Sequence, residues 1–277
     1  MKKLTNCRYI TFLLVAVFAL NFVACKPVDK KKGEGQTEKP LLKKAIAKEV
    51  KDVVYPLPTT FELTSMLNRI GADYILGISN STENADKYFT EKARALNLGI
   101  YSADLSYAST YHRKQETMLF LKASKKIIDN LEITSAFNET LVSDVEKNLD
   151  NKEELIKLIT NSFYDTYAFL NKNGKANLSL FVVSGSFIEG LYIATHISEN
   201  TFTNPEIVKV IFDQKAILEK LLDVLAPEAK DANIASLIAD LTGLKASYDK
   251  IVDGSMTEDQ LNEISASVAK LREGIVQ

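Results

Sequence analysis

Tryptophan is missing from the 277 residues, and cysteine, histidine and proline are scarce, with two, two and six copies. Cysteine and histidine are too few for a zinc cluster of the Cys/His type. Neither His112 nor His196 follows a Glu by three residues, the spacing that di-metal helical bundles use. No metal site or cofactor is therefore expected. Charge of one sign is not in excess either, with 34 Lys+Arg against 36 Asp+Glu. A nucleic-acid footprint needs clustered surplus cations, so that partner is excluded. HExxH, Walker, GxGxxG, GxSxG and EF-hand patterns are all missing. What is present is ordinary for a globular chain: 46% hydrophobic and 25% charged residues. Such values exclude disorder or low complexity as a description of the whole chain.

The first 25 residues have the layout of an export signal. Lys2, Lys3 and Arg8 precede an uncharged apolar stretch from Ile10 to Leu20, and Phe22-Val23-Ala24-Cys25 follows. The end of this segment resembles the bacterial lipoprotein box, with small Ala24 before Cys25. That resemblance implies removal of residues 1–24 and lipidation of Cys25, which anchors the chain to a membrane. Cys7 leaves with the signal, so no disulfide is expected. Loss of three cations leaves 31 Lys+Arg against 36 Asp+Glu, a net charge of −5. Lys26 after the cysteine resembles lipoproteins sorted to the outer membrane; a periplasm-facing body is expected, and with no acidic run after Cys25 surface display is indicated neither way. Residues 25–40 then read as a lipidated cysteine and a flexible tether, because KPVDKKKGEGQTEKP has too little apolar surface to offset its ordering entropy.

Residues 41–277 read as a single all-α domain, a multi-helix bundle. Leu41 to Val54 suits a short helix. Thr59/Glu62 is a capping-box pattern that opens a helix to Ile70, stopped at Gly71. Asn80 to Asn84 is turn-like, and a helix then runs to about Leu98-Gly99. Ile100 to Leu131 suits one or two helices. Asn151/Glu154 opens a helix from Lys152 to Leu170 that ends at Asn173-Gly174. Asn204-Pro205 opens another, burying Ile207, Ile211, Leu218, Leu222 and Leu225. Two seams follow, Ile234–Leu237–Leu241–Leu244–Tyr248–Ile251 and Leu261–Ile264–Val268–Leu271–Ile275, the pattern of an antiparallel helical hairpin. Leu178 to Phe187 and Tyr74 to Ile78 could be buried strands. The first continues apolar to Ile197, and that length favours a helix.

Two central segments share small residues on a face: Ser102, Ala103, Ser106 and Ser109 in one, Ser186, Gly190 and Ala194 in the other. Small residues let a neighbouring backbone come close. A second membrane span is not expected there, since Glu189 and His196 interrupt it. At an offset of 85, Asp104, Tyr107, Thr110 and Tyr111 align with Glu189, Tyr192, Thr195 and His196. The match raises a duplication of two helical repeats, and chance similarity stands as the alternative. A carboxylate on an apolar helix is costly to bury unless paired. Asp104, Tyr107, Tyr111, Glu189, Tyr192 and His196 are accordingly the candidate site. They form either a polar pocket or a structural network of hydrogen bonds.

Gly185 to Thr195 (GSFIEGLYIAT) together with Gly99 to Tyr107 (GIYSADLSY) resembles uncharacterised all-helical exported lipoproteins of Bacteroidota. The resemblance implies an exported, lipidated, helical protein and brings no activity, substrate or catalytic residue. Two functional readings follow. One is a lipid-anchored, non-enzymatic binding or scaffolding module with an envelope protein or small ligand as partner. The other is a hydrolytic or small-molecule-binding enzyme built on Asp104, Glu189 and His196. An enzyme needs these groups to converge on an open cavity, whereas a network is closed.

Overall fold

The computed structural model describes residues 60–134, 140–197, 201–252 and 254–277. The export signal, Cys25, the tether, the Leu41–Val54 helix and Thr59 lie outside them. Among the described residues there are nine α-helices and no strand: α1 (Thr60–Arg69), α2 (Glu91–Thr110), α3 (Lys114–Asn130), α4 (Leu141–Lys147), α5 (Lys152–Lys172), α6 (Ala176–His196), α7 (Pro205–Leu225), α8 (Ala232–Asp249) and α9 (Glu258–Val276). The fold is an all-α bundle.

Local chemistry places most of the helix ends. Asn204 accepts from the amides of Glu206 and Ile207 while Pro205 fills the first turn of α7. Asp231 caps α8 through Asn233 and Ile234, and Thr257 and Gln260 form a complete capping box on α9. Asn151 caps α5 through the amide of Glu154, one half of the expected box. Gly71 (φ 87°) and Gly174 (φ 73°) adopt the left-handed conformation that ends α1 and α5.

The centre of the bundle is α2 packed along α6. Gly99 does not stop α2, as the sequence pattern suggests. The helix runs on to Thr110, and the break comes at His112, whose φ is 56°. Gly99 serves the packing instead. A Cβ there would lie 2.0 Å from the Val182 carbonyl oxygen, and one on Gly185 would lie 2.0 Å from that of Leu96. These two glycines therefore let the backbones of α2 and α6 touch. The close approach falls on Gly185 rather than on the expected row of Ser186, Gly190 and Ala194. Gly190 faces side chains of α1, with Leu63 Cδ2 and Thr60 Cγ2 each 3.1 Å from a Cβ position. Ser186 meets the same helix, its hydroxyl 2.7 Å from that of Thr60.

Among the described residues α6 is the one helix long and apolar enough to cross a membrane, with mean hydropathy 1.5, and 89% of that stretch is packed inside the protein. The Leu178–Phe187 run is thus a buried helix. Tyr74–Ile78 is neither strand nor helix but part of an irregular segment lying over α2. The last two helices form an antiparallel hairpin, with Ser247 of α8 bonded to Glu263 of α9 (3.0 Å). Its seams are buried at Ile234, Leu237, Leu241, Leu244 and Tyr248, and at Leu261, Ile264 and Val268. Fully burying one such aliphatic side chain is worth about 1.5–3 kcal/mol. The Tyr248 hydroxyl donates to the Ile211 carbonyl (3.0 Å), which ties the hairpin to α7.

Candidate functional site

Helix α6 begins 85 residues after α2, at Ala176 and Glu91, so the positions aligned in the sequence hold equivalent places along the two helices. Asp104 and Glu189 face each other across this pair, both with no solvent exposure. The cation that answers them comes from α9. Arg272 donates from Nε to Glu189 Oε2 (2.5 Å) and from Nη2 to Oε1 (2.9 Å), a bidentate pair. Its Nη2 also donates to the Ile78 carbonyl (3.2 Å). Asp104 Oδ2 accepts from the amide of Asn80 (3.1 Å), while Oδ1 and the nearby Ser79 hydroxyl are buried without a geometrically formed bond.

Burial pushes the Asp104 carboxyl well above the usual carboxylate range, and the Glu189 charge pushes the same way. Arg272 and Ser79 oppose that push without cancelling it. Burial raises Glu189 as well, against the pull of Arg272 and Asp104. Burial disfavours charge on Arg272, yet the Glu189 carboxylate outweighs this and raises its affinity for its proton.

The other four candidates fall on two sides of this core. Tyr192 lies under the Arg272 guanidinium, 4.2 Å from its carbon, and stacks on His196 with centroids 4.1 Å apart. His196 Nδ1 lies 2.9 Å from the Tyr192 carbonyl oxygen and the same distance from the Thr195 hydroxyl, and Nε2 lies 3.3 Å from Ser265 of α9. Burial lowers its pKa below the ordinary histidine value. Tyr107 accepts from the Ile75 amide (2.8 Å) and stacks on Tyr74 at 4.6 Å, with Tyr111 edge-on at 5.0 Å. His112 is exposed at the break between α2 and α3, directly after Tyr111.

Arg272 and two asparagines join the cluster beyond the six residues expected from sequence. Asn80 donates to Tyr88 (2.9 Å) and to Asn97 (3.3 Å), and Asn97 donates to the Ile275 carbonyl (2.8 Å). The irregular segment before α2 and the end of α9 are thus stitched to one cluster. A signal for Arg272 was available: it follows Ile264 and Val268 at steps of four, on the buried face of α9.

Of the cavities among the described residues, three are lined by none of the six candidates. One of about 50 Å³ lies between α1, α2 and α5, with Ser102, Ser106 and Thr166 among apolar walls. An open cleft of about 540 Å³ separates α8 from α9 over Leu96 and Ile188. A groove of about 410 Å³ runs past Phe202, Phe212 and Met256. No group of three or more His, Cys, Asp or Glu suited to a metal ion occurs among the described residues. Chemically, the cluster can hold charge and protons in a dry interior, and it ties three helices together. The chain matches none of the protein-family models, curated proteins or solved structures with which it was compared.

Proposed function

We propose that this chain is a lipid-anchored protein of the bacterial cell envelope, acting as a non-enzymatic binding or scaffolding module. It is held by lipid on Cys25 at the outer membrane and faces the periplasm. The observation that carries the non-enzymatic part is the state of the two carboxyls. Asp104 and Glu189 are both fully buried, and Glu189 spends its two oxygens on Arg272. A general acid or base must reach a substrate proton within hydrogen-bond distance, directly or through one water. His196 sits beyond Tyr192 and is itself bonded at both ring nitrogens. These groups therefore favour a structural network over a catalytic pocket, and partner recognition belongs to the outer surface.

The test uses the full chain expressed in a Gram-negative host, solubilised from envelope in detergent. Wild type should incorporate radiolabelled palmitate and recover a partner on affinity capture. Cys25→Ser should lose the label and leave the membrane fraction, since serine lacks the acyl-accepting thiol. Glu189→Gln should alter melting while leaving capture intact. Palmitate missing from wild type refutes the anchor. Loss of capture in Glu189→Gln at unchanged melting refutes the structural role.

A further inference from the structure

The charge inventory at the centre of the bundle does not balance. Two carboxyls, Asp104 on α2 and Glu189 on α6, face one guanidinium, Arg272 on α9. The remaining titratable groups facing them are tyrosines: Tyr74 and Tyr88 from the segment before α2, Tyr101 and Tyr107 on α2, and Tyr192 beneath Arg272. Burial raises Tyr74, Tyr88, Tyr101 and Tyr107, so these stay neutral and supply no cation. His196, stacked on Tyr192, is disfavoured as a cation by burial and by Arg272. A fully ionised cluster would carry one uncompensated negative charge in the interior, a costly state.

We propose that Asp104 and Glu189 form a proton-binding site that holds one proton between them, and that losing this proton releases α9 from the α2–α6 pair. The geometry says where the proton resides. Glu189 accepts twice from Arg272, whereas Asp104 Oδ1 is buried with no hydrogen bond formed and the Ser79 hydroxyl nearby. A proton on Oδ1 gives that oxygen a donor's role toward Glu189, and the bond stabilises the Glu189 carboxylate that Arg272 grips. The raised affinity of Asp104 for its proton agrees with this placement. Once the proton leaves, two buried anions compete for Arg272. Relief comes from admitting water between α6 and α9 around Arg272, whose ion pair with Glu189 joins them beside the Ser265–His196 contact. The device is a pH-sensitive latch on the C-terminal helix.

The sign follows from linkage. Above the ordinary aspartate value of 3.8 the folded state keeps a proton that the unfolded chain has lost. Stability therefore falls as pH rises toward the folded pKa and is largest near the unfolded value. A full linked proton changes the folding constant about tenfold per pH unit. Urea unfolding of the full chain from the ordinary aspartate value of 3.8 upward should show this decline in wild type. Asp104→Asn mimics the protonated acid and should flatten it. Hydrogen exchange read by mass spectrometry should show residues 258–276 of wild type opening with rising pH, relative to Asp104→Asn at the same pH. Helix α2 should not follow. If Asp104→Asn fails to fold, the proton released by wild type on unfolding, counted calorimetrically in buffers of different ionisation heat, decides the first half. Equal pH slopes in the two proteins, or no proton release, overturn the shared proton. A slope accompanied by uniform exchange over all helices overturns the latch.

Discussion

Alanine placed at four helical glycines should change stability in opposite directions, because only two of the four touch anything. At Gly185 the new Cβ would sit 2.0 Å from the Leu96 oxygen, whereas ordinary contact begins at 3.4 Å. At Gly99 it would meet the Val182 oxygen at 2.0 Å and the Ser186 nitrogen at 2.6 Å. Both obstacles are backbone, so no rotamer can yield and α2 and α6 must separate. Moving packed atoms apart by even 0.5–1 Å forfeits roughly a quarter to a half of each contact's attraction. Forced insertions cost about 1–3 kcal/mol, and these two belong at the upper end. In a domain of this size that corresponds to a fall of roughly 6–12 °C in Tm at 2–4 °C per kcal/mol. Gly243 of α8 and Gly274 of α9 have nothing within 4 Å of a Cβ position. Alanine there removes the helical penalty of glycine and should raise stability by about 0.5–1 kcal/mol. Thermal unfolding of the four single variants, followed by circular dichroism, is the assay. A Gly185→Ala protein as stable as Gly243→Ala would refute the backbone contact and with it the packing of the central pair.

Arg272→Met should cost about 3–5 kcal/mol, the range for stranding a buried partner of an ion pair. Urea unfolding should show a smaller loss in acid than in base, because the stranded carboxyls can then take up protons. A loss that does not depend on pH would mean they stay ionised without the arginine. His196 favours its neutral form in the fold, so it contributes stability above its ordinary value of 6.5 that is lost as pH falls below it. NMR titration of the ring should put its folded pKa below that of a His peptide, and a value above it would contradict the burial at Ser265.

The fold was legible wherever a local rule decides it. Asn204-Pro205, Thr257/Gln260 and the seams of α8 and α9 each state a helix start or a buried face within a few residues. Gly99 was misread because one residue serves two purposes. Glycine in the left-handed conformation ends helices, as Gly71 does, while glycine in a helix lets a neighbour in, and sequence alone does not distinguish them. The row of small residues on α6 was found one position away from where it acts. Gly185 carries the contact with Leu96, and Gly190 meets Leu63 and Thr60. Candidates Asp104 and Glu189 were legible as costly carboxylates. Arg272, which decides what they do, sits 83 residues from Glu189 on a helix that otherwise reads as half solvated.

That arginine also bears on how the bundle chooses one arrangement. The seam of α9 repeats aliphatic residues at steps of three and four, and such a pattern fits an apolar groove almost equally well after a slip of one turn. A turn is about 5.4 Å along the axis. Slipped by that much, Leu, Ile and Val would still be covered, but Arg272 would leave both Glu189 and the Ile78 carbonyl, and the two carboxyls would face apolar atoms. Stranding buried charges costs several kcal/mol, a penalty that only the native register avoids. The asparagine bonds act in the same sense, since Asn97 reaches the Ile275 carbonyl only in the native register. Apolar periodicity thus brings α9 to the core, and the polar cluster sets where along its length it stops. A network serving that purpose has every reason to be closed to solvent, which is how Asp104 and Glu189 are found.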